Sequence, residues 1–185
     1  NYNSKEAYKE GLRQLKNDMQ NDIISIFGQK EKPLFFTYMA HRNFQVALAQ
    51  IELSQEEDDV ILVNPIYQLP DYNNLHLSSN GYRWYGEYIA KAIFNFMYNG
   101  SRQNAVEPIS AICKNEEIRI RCKTDYPPLV IDTWTVQQCP NYGFKVNINN
   151  SDATITSIHV ENDEIVIKAD GLSSATSIEV IYADY

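Results

Sequence analysis

The most constraining feature of this 185-residue chain is a change of pattern near residue 104. Before that point, segments with helical periodicity alternate with short apolar runs. After it, only short strand-like segments separated by turn residues occur. Alternating helices and strands predict an α/β layer with a parallel sheet, and many short strands with frequent turns predict a β-sandwich. We therefore expect an α/β domain over 1–104 and an all-β domain over 105–185.

The α/β part contains three predicted helices and two predicted strands. Continuous apolar runs at 33–39 and 58–65 are typical of strands buried on both faces, and 43–55 and 78–100 have helical periodicity. The first helix has one apolar face, formed by Tyr8, Leu12, Leu15, Met19, Ile23 and Ile26. Two strands do not make a stable doubly wound sheet. We therefore expect this chain to be a piece of something longer, with the sheet completed by polypeptide outside it.

The second part contains about seven strand candidates. Turn residues separate them, and the pattern favours a sandwich of immunoglobulin or fibronectin style. The candidates are ISAICK, EIRIRCK, PLVIDTWTV, YGFKVNIN, ATITSIHVEN, EIVIKAD and SIEVIYAD.

Charge and cysteine content limit the classes of partner. The net charge of −8 argues against a nucleic-acid backbone as main partner. The sequence contains no run of 18 apolar residues, so it predicts no membrane-spanning helix. Cys113, Cys122 and Cys139 lack the CxxC spacing of zinc sites, so no metal is expected. Free thiols are favoured, with a Cys113–Cys122 bridge as the alternative.

His76 is the main candidate for a catalytic residue. It lies in a polar turn that follows the second predicted strand and precedes a helix rich in aromatic residues. Open α/β folds place their sites at the carboxyl ends of the strands, so this position suits a catalytic base. A histidine in such a turn is also a common helix-terminus residue without a catalytic role.

The residues around His76 resemble the last motif block of SGNH (GDSL-type) hydrolases. The stretch LPDYNNLHLSSNGYRWYGEYIAKAI (69–93) has the histidine, a small polar pair, a glycine and an amphipathic helix in the order of that block. Its details are similar to esterases of phage tail spikes and tail fibres. Upstream, 8–23, 33–39 and 46–70 resemble the helices and strands that lead to the motif. Downstream, PLVIDTWTVQQCPNYGFKV, ITSIHVENDEIVIKA and IEVIYAD resemble a small trailing β-sandwich.

The resemblance implies the C-terminal portion of a flavodoxin-like SGNH domain, followed by the β-sandwich. It implies Ser-His acyl transfer on acetylated polysaccharide, with His76 as base and no metal or organic cofactor. The family's Gly-Asp-Ser nucleophile motif and its oxyanion-hole residues do not occur here, so the missing N-terminal half must supply them. The resemblance also implies a phage virion or extracellular location. Tail spikes of this kind are often trimers, although the sequence shows no trimerisation segment.

The sequence departs from the family at the acid that orients the histidine. Asn73 stands three residues before His76, where the family has Asp. An amide oxygen accepts a hydrogen bond from the imidazole but carries no charge to stabilise the imidazolium. Asp71 is the alternative orienting residue if the loop folds back. His41 and Arg42 follow the first predicted strand and are candidate substrate contacts, with a solvated loop pair as the plainer interpretation.

Three functions remain open from the sequence. The first is part of a carbohydrate O-acetylesterase. The second is a catalytically decayed module that binds glycan or has a structural role in a tail, with Asn73 as the trace of decay. The third disregards the resemblance and takes the chain as an adhesin fragment.

Overall fold

The computed structural model describes residues 4–41, 43–73, 75–102, 105–124, 126–134, 136 and 138–183. The chain divides into two compact units, Asn1–Ala105 and Val106–Tyr185. Within the described residues, no helix is long and apolar enough to span a membrane.

The first unit contains three helices and a two-stranded parallel sheet. Phe35 lies opposite Val60 in the sheet, and Thr37 lies opposite Leu62. The second strand is almost completely buried, as its continuous apolar sequence predicts. The elements follow the chain order α1 (Lys5–Phe27), β1 (Phe35–Met39), α2 (Phe44–Glu56), β2 (Val60–Pro65) and α3 (Ser79–Asn99).

Side-chain caps define where the three helices begin. Ser4, Asn43 and Ser78 each accept a hydrogen bond from a backbone N–H in the first turn, which satisfies one of the unpaired donors there. Gly28 and Gly100 end α1 and α3 in the left-handed conformation that glycine adopts without strain.

The orientation of α1 differs from what its apolar periodicity suggests. Lys9, Lys16 and Gln20 are the buried side chains of the helix. Several members of the apolar face are exposed instead, namely Leu15, Met19 and Ile26. Hydrophobic periodicity predicts a helix but not which side chains of the neighbouring element will contact it. Here α2 contacts α1 through carboxylates rather than through apolar side chains.

Ion pairs join α1 to α2 and to the turn that follows it. The side chain of Lys16 is 3% exposed, and its Nζ lies 2.7 Å from Asp59 and also contacts Glu57. Burial opposes the charge of Lys16, but the two carboxylates outweigh it and raise its pKa. Among the described residues, these ion pairs join Lys5, Lys9, Arg13 and Lys16 to Glu52, Glu56, Glu57 and Asp59.

The second unit consists of two antiparallel sheets around one apolar cluster. The sheets have the strand orders β3-β4-β8-β7 and β6-β5-β9. Both contribute to the cluster, the first through residues such as Ile118 and Ile167 and the second through Val146. The strands are β3 (Glu107–Lys114), β4 (Glu117–Lys123), β5 (Phe144–Ile148), β6 (Ser151–Ala153), β7 (Ile155–Glu161), β8 (Glu164–Ala169) and β9 (Ile178–Tyr182).

One predicted strand of this unit is wrong. The described residues of PLVIDTWTV form no strand. Pro127 and Pro128 provide no backbone N–H for a ladder. The Asp132 carboxylate accepts the N–H of Trp134 at 2.9 Å and so favours a local turn. Leu129 packs against the core, whereas Val130 and Trp134 are exposed.

The structure confirms a mixed α/β fold with parallel and antiparallel sheets. The SGNH and immunoglobulin-like assignments stay predictions. The three cysteines are free thiols, so the Cys113–Cys122 bridge does not form. Cys122 is buried, and burial raises the pKa of its thiol, whereas Cys113 is exposed.

Candidate functional site

The candidate site is the loop that connects β2 to α3. The carboxyl ends of β1 and β2 lie together at its start, where the N–H of Ile66 donates to the carbonyl of Met39 at 3.2 Å. The loop begins on the carboxyl side of the parallel strands, which is the side where open α/β sheets place their sites.

The loop folds back on itself in three successive steps. At its base, the N–H of Ser78 donates to the carbonyl of Pro70 at 2.9 Å. Asp71 and Leu77 then form an isolated antiparallel bridge, and the N–H of Tyr72 donates to the His76 carbonyl at 2.8 Å. Leu77 is buried, whereas His76 is exposed. The base of the loop is therefore fixed, and the histidine stands near its tip.

Asn73 determines how the His76 ring is held. Its side-chain Oδ1 accepts the backbone N–H groups of Leu75 at 3.2 Å and of His76 at 2.9 Å. The same atom lies 3.2 Å from the Nδ1 of His76. The two backbone donors require an oxygen here, and an oxygen only accepts, so this contact favours the neutral tautomer that carries its proton on Nδ1. Nε2 is then left with a free lone pair, which is the state a general base needs.

Asp71 lies in the folded-back position that a role in orienting His76 would require. Its backbone bridges to Leu77, and its side chain is exposed. The hydrogen bond that the structure describes at the imidazole is made by Asn73 and not by Asp71. The predicted pairing of Asn73 with His76 is thus present in the geometry, while the catalytic role of all three residues stays a prediction.

His41 follows β1 on the same side of the sheet. The ring is half-buried, and its Nε2 has no hydrogen-bond partner among the described residues. The adjacent turn is fixed by the side chain of Gln50, which accepts the N–H of Ala40 at 2.7 Å. Nε2 of His41 is thus buried rather than solvated. Arg42, the other predicted substrate contact, lies outside the described residues.

Most of the aromatic residues of α3 pack against the body of the unit. The rings of Tyr38 and Tyr85 meet edge to face at 5.6 Å, and burial raises the pKa of Tyr85 to about 12. Trp84 and Tyr88 are partly buried as well, whereas Tyr82 is exposed. Three of these four aromatic side chains are therefore at least partly buried, and Tyr82 is the exposed one.

The described residues contain no group of three or more His, Cys, Asp and Glu side chains that could hold a metal ion.

The sequence resemblance includes Gly81 as the glycine of the motif block, but sequence reasoning did not count it among the site residues. This residue lies in the first turn of α3 and is buried. A Cβ atom built on it would lie 2.2 Å from the carbonyl oxygen of Pro70. The available signal was a glycine inside a helical pattern, since glycine costs about 1 kcal/mol there relative to alanine and calls for a packing reason.

Comparison with known proteins assigns no family. No family model matches the sequence, and no curated protein matches it. The crystal structure of a novel carbohydrate acetylesterase from Xanthomonas citri is similar over 95% of this chain, at 10% identity and a TM-score of 0.46. The chain spans 40% of the length of that protein. A likeness of this strength does not assign a fold family.

Proposed function

We propose that this chain supplies the general base of a serine-type carbohydrate O-acetylesterase, and that this base is His76. The observation that carries the proposal is the hydrogen bond from His76 Nδ1 to Asn73 Oδ1. It gives the ring the tautomer whose Nε2 can take a proton. The loop position at the carboxyl side of the sheet supports the same conclusion.

In the proposed reaction, Nε2 of His76 takes the proton of a serine hydroxyl while the serine oxygen attacks the acetyl carbonyl carbon. The imidazolium then gives that proton to the departing sugar hydroxyl, which leaves an acetyl-serine. His76 next deprotonates a water molecule that attacks the acetyl group. Acetate leaves, and the serine recovers its proton.

The serine belongs to polypeptide outside this chain in our proposal. The Gly-Asp-Ser motif that carries the nucleophile in the family does not occur in this sequence. Exposed apolar side chains support a larger packed structure, because contiguous exposed apolar surface marks sites of association. They occur on α1 and near the end of α3, at Leu15, Met19, Ile26, Phe94, Met97 and Tyr98.

The finer parts of the proposal rest on the resemblance of 69–93 and its flanking segments. They are an SGNH arrangement of the first unit, an immunoglobulin-like sandwich in the second and acetylated surface polysaccharide as substrate. A phage tail, with a trimer as its assembly, is the proposed setting.

One observation favours a second candidate function. Asn73 replaces the acid that stabilises the imidazolium, and exchanging that acid for Asn lowers kcat by about 10⁴ in serine proteases with a triad. Tyr72 and Leu75 beside it are 82% and 62% exposed. A module that binds glycan without cleaving it would have this composition.

Labelling with a fluorophosphonate, which reacts with activated serines, separates the two functions. The reagent is applied to the longest natural polypeptide that contains this chain, followed by mass spectrometry of the peptides. We expect one labelled serine, with labelling reduced at least 100-fold in His76→Ala. Retention of an acetylated polysaccharide without any labelled serine would support the binding module instead.

A further inference from the structure

We propose that Gly81 is a positioning residue for His76. It acts by letting the base of the histidine loop lie directly against the first turn of α3. The inference deepens the proposed function and rests on it for its kinetic consequence only.

The contact at Gly81 is closer than any side chain permits. A Cβ atom on this residue would lie 2.2 Å from the carbonyl oxygen of Pro70 and 3.1 Å from the Cβ of Leu77. Real Cβ atoms do not approach backbone oxygen at 2.2 Å. The backbone of Gly81 is helical rather than left-handed, so the requirement for glycine is one of space and not of conformation.

The two groups that a Cβ would displace form the base of the loop. The Pro70 carbonyl accepts the N–H of Ser78 at 2.9 Å, and Leu77 is buried and bridges back to Asp71. The hydrogen bonds from Tyr72 to His76 and from His76 to Asn73 lie further along the loop, in the part that this base supports. A shift at Pro70 therefore passes along the folded-back loop to the imidazole.

We expect an added side chain at Gly81 to displace the loop rather than the helix. Further along α3, Ala92 and Asn95 are almost completely buried, and Tyr85 packs against Tyr38. Residues 71–73, 75 and 76 of the loop are exposed. An added methyl group at Gly81 thus pushes the part of the structure that carries His76.

The chain provides a matched control on the same helix. Gly86 lies five residues further on, and a Cβ built on it would meet nothing within 4 Å. Gly81→Ala and Gly86→Ala are therefore the same chemical change in the same helix, with and without the push on Pro70. Both gain helix propensity, which is stabilising at an unstrained site.

The first test measures the tautomer of His76 by ¹⁵N NMR on the longest natural polypeptide that contains this chain, at a pH where the ring is neutral. The hydrogen bond made by one ring nitrogen determines which nitrogen carries the proton. We expect Nδ1–H in the wild type and in Gly86→Ala, and a mixture of both tautomers in Gly81→Ala. An unchanged Nδ1–H signal in a folded Gly81→Ala variant would overturn the proposal.

A measurement on the wild type covers the case in which Gly81→Ala does not fold. Backbone ¹⁵N relaxation reports whether the loop is as rigid as the helix it rests on. We expect order parameters near 0.85 at Tyr72 and His76, as in rigid backbone. Values below about 0.6 there would contradict the inference, because a freely moving loop is not positioned by Gly81.

The kinetic test uses the esterase of the proposed function. Displacement of a catalytic group by about 1 Å lowers rates by about 10². We expect Gly81→Ala to lower kcat by about that factor with KM within about twofold, and Gly86→Ala to change neither. Equal kcat values in the two variants would contradict the inference. Absence of activity in the wild type would contradict the proposed function alone, since the tautomer test does not depend on it.

Discussion

At the residue scale, Asn73 is the residue that decides what His76 can do. Its oxygen organises the turn through two backbone N–H groups and orients the imidazole with the same atom. The amide thus fixes the tautomer, which is one of the two tasks of the acid in a catalytic triad. It cannot perform the other, which is to stabilise the positive charge on the imidazolium.

Restoring the acid should therefore improve the proposed enzyme. We expect Asn73→Asp to raise kcat at least tenfold, because a carboxylate can accept the same hydrogen bonds and adds a charge. Asn73→Ala should lower kcat by a similar factor, since it removes the acceptor at Nδ1. The measurement is the kcat for hydrolysis of an acetyl ester. Equal rates in all three proteins would show that Asn73 does not act through His76.

The sequence predicted the pairing of Asn73 with His76 but not the contact between Pro70 and Gly81 that supports the loop. The spacing of three residues between Asn73 and His76 is visible in any alignment with the motif. The close approach of Pro70 to Gly81 depends on how the loop folds back in three dimensions, and a glycine inside a helical pattern does not say which group approaches it. The buried Nε2 of His41 was likewise not predictable, because burial depends on the neighbouring turn.

At the element scale, the contact between α1 and α2 is ionic where the sequence suggested an apolar one. The predicted helices and strands of the first unit are confirmed, because caps and apolar runs are local signals. The side of α1 that faces its neighbour is a tertiary property. Lys9 and Lys16 are buried because carboxylates form ion pairs with their ammonium groups. Their long apolar stems cover part of the helix surface.

Removal of the most buried cation of this contact tests its energetic role. We expect Lys16→Met to lower the free energy of unfolding by about 2 kcal/mol at pH 7, because it leaves Asp59 and Glu57 without their shared partner. Lys5→Met, at a more exposed position of the same contact, should cost less. The measurement is urea unfolding of each variant beside the wild type. Equal stabilities of Lys16→Met and the wild type would contradict the account.

The effect of Lys16→Met should depend on pH in a defined way. The pKa of Lys16 is raised in the folded state, so its contribution is complete below about 10.5 and is lost at higher pH. The pKa values of Glu57 and Asp59 are lowered, so their contribution is present above about 4.5 and is lost as pH falls further. The stability difference should therefore be largest between these limits and shrink outside them.

At the scale of the whole molecule, the two units differ in how complete their cores are. The apolar cluster of the second unit draws on both of its sheets and includes almost completely buried residues such as Ile167 and Val146. The first unit has a two-stranded sheet and exposed apolar side chains on α1 and α3. The sequence predicts a change of architecture near residue 104, because a change of periodicity extends over many residues and does not depend on any one contact.

The second unit should fold by itself. We expect residues 106–185 to unfold in one cooperative transition, with a midpoint within about 5 °C of the same unit in the 185-residue chain, because the core cluster lies within it. Thermal unfolding followed by circular dichroism measures this. A disordered spectrum of the isolated segment at 20 °C would contradict the prediction.

The central claim is that His76 is the base of an acetylesterase, and hydrolysis of 4-nitrophenyl acetate tests it most directly. The protein is the longest natural polypeptide that contains this chain, compared with its His76→Ala and His159→Ala variants. His159 is a matched control because it lies on β7 in the second unit, beside Glu161. We predict activity in the wild type and in His159→Ala, and a loss of at least 10³-fold in His76→Ala. Activity that survives in His76→Ala, or none in a folded wild type, would contradict the claim.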